Sequence, residues 1–416
     1  MRTGAASTLR LRLLVKAPLR EADTYVMDGQ GPDAYEERQP TPQGAQVPTW
    51  SGLTGLLQVL CDLEGSDLHI KAGAAHAVRV DGQLHTLDNQ PPIGAEDLLA
   101  LAVSIMPPTI RAAFPDAREA DFACTAPGIG RFRVNTFYQH GSVALAIRRL
   151  PPRIPGFEEL GLPDIVRRLA EEQRGLILVT GPTGCGKTTT LAAMVNHINL
   201  TRACHIITVE DPIEYLHCDA RARVEQREVG LDTPTFTSAM RVVLRQDPDV
   251  ILVGEMRDPE TVSAALTAAE TGHLVLSTLH TTTAPESINR IVDFFPPHQH
   301  QQVRTSLASA VAGAIGQRLV PRASGRGRVP ALEVMVTNGR VRQAIADPQL
   351  TSALLQLIAE GEYDGMQTFD QALARLVSSG EVSVRDAMTA ASNPHDLKIM
   401  LEHMGVIPTG RTLAPR

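Results

Sequence analysis

The stretch Gly181-Pro-Thr-Gly-Cys-Gly-Lys187-Thr188 decides the fold. It satisfies the pattern G-x-x-x-x-G-K-[ST] at every fixed position. The run before it, Gly175-Leu-Ile-Leu-Val-Thr180, is short, apolar and partly β-branched, as a buried parallel strand is. The run after it, Thr188-Thr-Thr-Leu-Ala-Ala-Met-Val-Asn-His, reads as a helix. A chance match in a chain of this length occurs about once in a hundred sequences of average composition, and the strand–loop–helix context makes a mere glycine-rich turn rarer still. Glycines let backbone N–H groups curl around a phosphate, and the helix N-terminus adds partial positive charge. Gly181, Pro182, Thr183, Gly184, Cys185, Gly186, Lys187, Thr188 and Thr189 are therefore the expected nucleotide-binding residues. Lys187 reaches the terminal phosphates, and the Thr188 hydroxyl is placed to ligate Mg²⁺, so ATP with Mg²⁺ is the expected substrate and cofactor pair. Cys185 occupies a variable loop position and reads as neutral filler.

The rest of the chain fits a multi-domain protein. It has 416 residues, 43% hydrophobic and 20% charged, with a net charge of −7. That balance supplies a normal core and leaves no basic excess for phosphates, so nucleic acid is not an expected partner. No apolar run reaches the length of a bilayer span. The five cysteines, Cys61, Cys124, Cys185, Cys204 and Cys218, form no C-x-x-C pair, which fits a reducing cytoplasm.

Residues 1–48 begin with Arg2, Arg10, Arg12, Lys16 and Arg20 and continue polar and Pro/Gly-rich; they read as a disordered basic tail. Residues 49–149 carry a compact α/β pattern. Ser51 is placed to cap a helix running to Leu63, strands are expected at 66–70 and 77–80 with Asp81-Gly82 after them as a hairpin turn, a helix at 95–106, and strands at 131–137 and 142–148. A linker at 150–160 follows, stiffened by Pro151, Pro152 and Pro155. Residues 161–400 alternate strand and helix, with strands at 175–180, 206–210, 250–253 and 274–278, which implies a parallel sheet covered on both faces. From Pro321 a Gly/Arg-rich connector is expected to lead to a helical tail, closing with a terminal tail at 401–416.

Three further strand ends bear chemistry: Val209-Glu210-Asp211-Pro212-Ile213-Glu214, Val253-Gly254-Glu255-Met-Arg257-Asp258 and Thr278-Leu-His280-Thr281. In an open parallel sheet these ends share the side on which the ligand binds. Phosphoryl transfer to water needs one carboxylate for the metal region and one to orient the water. Glu210 and Glu255 are that pair, with Glu210 assigned to the water and Glu255 to Mg²⁺. His280 is placed to sense the terminal phosphate, whereas His273, at the turn before its strand, suits a cap as well as a motif role. Arg131 and Arg133, two apart on one strand, share a face.

These segments together, with Leu266-Thr-Ala-Ala-Glu-Thr-Gly-His, Ile291-Val-Asp-Phe-Phe-Pro and Gly365-Met-Gln-Thr-Phe-Asp, resemble the type II/type IV secretion ATPase superfamily over roughly residues 50–395, and within it the pilus retraction ATPases. The resemblance implies a PAS-like N-terminal α/β domain, a RecA-like P-loop NTPase domain with a helical tail, and a homohexamer. It also implies a cytoplasmic motor, peripheral at the inner membrane, that hydrolyses ATP to retract type IV pili for twitching motility. Its partners would be an inner-membrane platform protein and, in an accessory role, a paralogous motor. Arg133 and Arg148 match the positions from which that superfamily supplies arginines to the nucleotide, and Asp211 and His273 fall in its acidic and histidine motifs. One departure stands out. Where retraction ATPases show Ala-Ile-Arg-Asn-Leu-Ile-Arg-Glu, this chain has Arg340-Val-Arg342-Gln-Ala-Ile345-Ala-Asp347, keeping Arg342 and Ile345. The alternatives are an assembly or type II secretion ATPase, which generally carries a paired C-x-x-C module absent after Cys218, and a RecA-like nucleic-acid translocase, which the acidic balance disfavours.

Overall fold

The computed structural model describes residues 53–408, apart from 81, 88 and 89. The tail reading of residues 1–48 and the Ser51 cap lie outside the described residues. Two sheets organise the chain. The first holds β1 (Asp67–Lys71), β2 (His76–Val80), β3 (Gln83–Leu87), β4 (Glu119–Ala126), β5 (Gly130–Gln139) and β6 (Ser142–Arg149) in the order β3-β2-β1-β6-β5-β4. Every neighbouring pair in it is antiparallel. Alternate residues point inward, and Leu68, Ile70, Phe122, Phe132, Val134, Leu145 and Ile147 form a core with the helices Thr54–Asp62 and Ala95–Ile105. The N-cap of the first helix is Leu53, which makes no side-chain cap. β3, β4 and the helix Pro108–Ala117 were not expected from sequence. β3 carries four exposed residues of five, so it shows no apolar alternation to read.

The second sheet holds β7 (Gly175–Thr180), β8 (His205–Glu210), β9 (Arg223–Glu228), β10 (Val250–Val253), β11 (Leu274–Leu279), β12 (Val311–Pro321) and β13 (Arg328–Val336), ordered β13-β12-β7-β11-β10-β8-β9. From β12 to β9 all pairs are parallel, and β13 closes the edge antiparallel to β12. β7, β10 and β11 are buried at every residue because helices cover both faces, which is why they read as continuous apolar runs. Two apolar clusters, one on each face, join helices Pro259–Glu270 and Ala284–Asp293 to one side and Lys187–Thr201 to the other. The chain is thus α/β, with an antiparallel N-terminal domain and a parallel, RecA-like second domain.

The connector expected from Pro321 is corrected here. Residues 322–327 are a tight turn between β12 and β13, in which Gly325 and Gly327 adopt φ of 75° and 73°. Glycines needed for positive φ, not a domain junction, gave that stretch its composition. The helical region follows β13. Its helix Phe369–Ser378 opens with a capping box between Thr368 and Gln371.

One buried acid joins this edge to the centre. Glu333 of β13 is 1% exposed and accepts the Ala284 N–H at 2.8 Å, fixing the start of helix Ala284–Asp293. Burial pushes its pKa up to about 7, against the opposing effects of that hydrogen bond and of Arg318. The folded state therefore holds the proton more tightly than the unfolded chain. Stability from this group is greatest below its unfolded value and declines as pH rises toward 7. Glu333→Gln, which keeps an acceptor, should gain on the wild type by roughly 3 kcal/mol between pH 4.5 and 8, at 1.36 kcal/mol per pKa unit. Chemical denaturation of both proteins across that range tests it, and parallel profiles would remove Glu333 as the cause.

Candidate active site

The loop after β7 is built as the sequence predicts and is braced from a place the sequence does not advertise. Gly181, Gly184 and Gly186 have φ of 141°, 79° and 91°. A Cβ at Gly181 would lie 2.5 Å from the Gln317 carbonyl O, so the loop can pass β12 only without a side chain there. Gln317 of β12 is 3% exposed. Its Nε2 donates to the Cys185 carbonyl at 2.6 Å, and its Oε1 accepts from Thr190 Oγ1 at 2.8 Å. One amide thus ties the loop to the first turn of the helix. Cys185 is more than filler: it is buried beneath the loop, and burial pushes its thiol up, away from the reactive thiolate.

Lys187 is nearly buried and donates to the carbonyls of Gly181 (2.7 Å) and Pro182 (3.1 Å), which holds Nζ inside the loop's curl. Burial lowers its pKa. Of the three threonines that follow, Thr189 is engaged with the Tyr215 hydroxyl at 2.9 Å and Thr190 with Gln317. The half-buried Thr188 hydroxyl makes no hydrogen bond among the described residues, so it is free to take a cation. Mg²⁺ on a nucleotide needs only one or two protein ligands besides phosphates. A free hydroxyl at the helix start with carboxylates on neighbouring strands fits that requirement.

Strand order sets the distances from the loop. β11 is next to β7, β10 comes next and β8 next again. At about 4.8 Å per strand, the end of β10 lies about 10 Å across the sheet and the end of β8 about 14 Å. His280, just past β11, is exposed and stands 3.7 Å from Glu255. Its pKa is lowered by partial burial and then by the positive charges of Lys187 and Arg257, so imidazole faces the loop neutral. Glu255 is gripped by Arg257 at both oxygens, Nη2 to Oε2 at 2.6 Å and Nε to Oε1. Its backbone is stitched to β11, where Thr278 Oγ1 donates to Gly254 O at 2.6 Å and Ser277 Oγ to Val253 O at 2.8 Å.

Glu210 is 9% exposed. One oxygen, Oε1, accepts from Thr208 Oγ1 at 2.6 Å and from Gln226 Nε2 at 3.0 Å. Burial raises its pKa, which makes it a stronger base than an ordinary carboxylate when ionised. Asp211 is exposed beside it and lines a cavity of about 240 Å³ between the two sheets, with Asp121 and Glu228.

Three of the sequence-derived residues are not brought to the loop. His273 precedes β11 at the end opposite the loop, about 23 Å from His280 at 3.3 Å per residue. Its Nδ1 meets Ala268 O (2.9 Å) and Thr271 Oγ1 (3.2 Å), the contacts of a helix C-terminal cap. Arg133 forms a two-pronged pair with Asp121 of β4 at 3.0 and 2.7 Å. Arg148 pairs with Asp67 of β1 at 2.8 Å and remains 65% exposed at its side chain. Both arginines are held within their own domain. Gln317, Thr208 and Gln226 were missed by sequence reasoning. Polar residues within strand runs, facing an expected active end, were the signal available.

A nucleotide-cradling loop at the carboxyl ends of a parallel sheet, with two carboxylates and an imidazole on adjacent strand ends, defines a P-loop ATPase. Residues 51–350 match the family described as type II/IV secretion system protein. The chain is 43% identical over 344 residues to the type IV pilus retraction ATPase PilT of Pseudomonas aeruginosa, covering 83% of this chain and 99% of that one. It is 41% identical to the type IV pilus ATPase PilU of the same organism, covering 83% and 90%. The crystal structure of the pilus retraction motor PilT with bound ADP superposes with a TM-score of 0.77 at 47% identity, over 83% of this chain and 99% of that one. The chain belongs to the type II/IV secretion system protein family.

Gln317→Ala removes two buried hydrogen bonds that hold the loop, each worth about 1 kcal/mol. ATP affinity should fall roughly tenfold, measured by titration calorimetry with a non-hydrolysable analogue. Unchanged affinity would show that the loop holds its shape without β12.

Proposed function

We propose that this ATPase is the motor that retracts a type IV pilus, working as a homohexameric ring on the cytoplasmic side of the inner membrane against a platform protein. The observation that carries the reading is the intact loop–Glu210–Glu255–His280 arrangement in a chain that spans almost the whole length of a pilus retraction ATPase. No helix among the described residues is long and apolar enough to cross a membrane.

In the hydrolytic step, the loop's backbone N–H groups and Lys187 hold the phosphates, and Lys187 exchanges its two carbonyl partners for them. The Thr188 hydroxyl and the Glu255 region would hold Mg²⁺, which would supply positive charge against the leaving phosphates. Glu210, basic through burial, orients the attacking water, and neutral His280 reads the terminal phosphate. Arg133 and Arg148 reach the nucleotide when their domain moves about the proline-rich segment 151–155, giving up Asp121 and Asp67. That exchange couples hydrolysis to mechanical work.

A second reading keeps the same chemistry in an accessory ring paired with another motor. The segment 340–347 favours it. Of the retained residues Ile345 is fully buried and Arg342 is exposed with its Nε donating to the Ala308 carbonyl at 3.0 Å, while the changed positions include both exposed Arg340 and Gln343 and buried Val341 and Ala344.

Lys187→Ala should abolish turnover. Glu210→Gln and Glu255→Gln should each keep ATP binding and slow turnover at least about a hundredfold, the scale of losing a charge-handling group. Arg133→Ala and Arg148→Ala should slow it about tenfold or more. Wild-type rates in Lys187→Ala would sink the ATPase reading. If Glu255→Gln changes Mg²⁺ dependence less than Glu210→Gln does, the two carboxylate roles exchange.

Deletion of the gene, followed by imaging of surface pili, tests the direction of work. Excess pili and lost twitching support retraction. Bald cells support assembly. Normal piliation that becomes excessive only on loss of a second motor supports the accessory ring.

A further inference from the structure

Arg131 differs from the two arginines considered above. It stands on β5, but its guanidinium leaves its own sheet for the other domain. Nη2 donates to the carbonyl O of Ile213 at 3.2 Å and lies 3.7 Å from Oε2 of Glu228. The same Glu228 oxygen accepts the N–H of Ile213 at 3.1 Å. The Ile213 peptide is therefore gripped on both sides, at its oxygen by Arg131 and at its nitrogen by Glu228. Ile213 is three residues beyond Glu210, in the acidic loop that follows β8.

β9 connects this grip to the catalytic carboxylate. Gln226 and Glu228, two apart, project from one face of the strand and sit in register opposite Thr208 and Glu210. Gln226 Nε2 donates to Oε1 of Glu210 at 3.0 Å and to the Tyr215 carbonyl at 2.9 Å. One strand thus holds both the beginning and the end of the loop 210–215, and a side chain from the N-terminal domain closes the clamp on its middle. The pair is shielded: the side chains of Arg131 and Glu228 are 20% and 6% exposed. Arg131 Nε is buried without a hydrogen-bond partner.

We propose that Arg131 is a positioning residue for hydrolysis, transmitting the placement of the N-terminal domain to Glu210 through the Ile213 peptide and β9. When the domain swings about segment 151–155, Arg131 leaves Ile213 and Glu228, and the loop loses its outer hold. Glu210 is then aimed only while the two domains are in contact. Arg133, on the same strand face, is delivered or withdrawn by the same movement, so aiming the water and stabilising the charge are linked through one strand.

The inference rests on the ATPase reading, so the experiment begins with wild-type turnover that vanishes in Lys187→Ala. With that established in the full chain, Arg131→Gln, Glu228→Gln and the double variant are compared for kcat, KM for ATP, ring assembly and thermal stability. Each single variant should lower kcat about tenfold with KM within twofold and the ring intact. The double variant should be no slower than the worse single, because both act through one contact. Arg131→Lys, which restores a cation able to reach Ile213 O, should recover part of the loss. Unchanged kcat in Arg131→Gln, a rise in KM alone, a loss confined to stability, or additive effects in the double variant would each overturn the positioning role. None of these outcomes touches the evidence for hydrolysis itself.

Discussion

The passage of Gly181 beneath the Gln317 carbonyl is the contact on which the active end of the molecule depends. At 2.5 Å from a hypothetical Cβ, no side chain fits, so β7 can lie directly against β12 only because residue 181 is glycine. That closeness lets the Gln317 amide reach Cys185 O and Thr190 Oγ1 together. The phosphate loop is then held from outside as well as by its own turn. A loop whose N–H groups must point inward benefits from such support, since those groups have no partners of their own within the helix.

From that fixed point the sheet distributes chemistry by strand order. The neighbour of β7 presents an imidazole, the next strand a carboxylate locked by an arginine, and the one beyond it a buried carboxylate held by a threonine and a glutamine. The two acids differ because their surroundings differ. Glu255 is charge-paired with Arg257 at both oxygens. Glu210 has neutral donors and lies among apolar strands, which penalises its charge. Residues of one type at similar strand ends are thereby suited to separate work, one beside a cation and one toward a proton.

The parts of this arrangement that the sequence made legible share a physical cause. Strands 250–253 and 175–180 are buried on both sides, and burial forces unbroken apolar runs that no solvent-facing segment imitates. The phosphate loop is legible because its glycines answer a backbone requirement at fixed spacing. What remained hidden depends on contacts distant in sequence. Gln317 is 132 residues from the Cys185 carbonyl it supports. β13 hid behind the positive-φ glycines of its own turn, and β3 behind an exposed surface that shows no alternation. His273 was ambiguous because a motif histidine and a capping histidine read alike until strand register places it at the far end of β11.

The arginines show the same limit from the opposite side. Strand periodicity puts Arg131 and Arg133 on one face, and the structure agrees, yet the two engage different domains. Arg133 finds Asp121 one strand away, while Arg131, nearer the end of β5, projects past the sheet edge to Ile213 and Glu228. Periodicity fixes direction; what a side chain meets depends on how far along the strand it stands. Two residues of displacement, about 7 Å at 3.3–3.4 Å per residue, separate a pair internal to one domain from a contact between two.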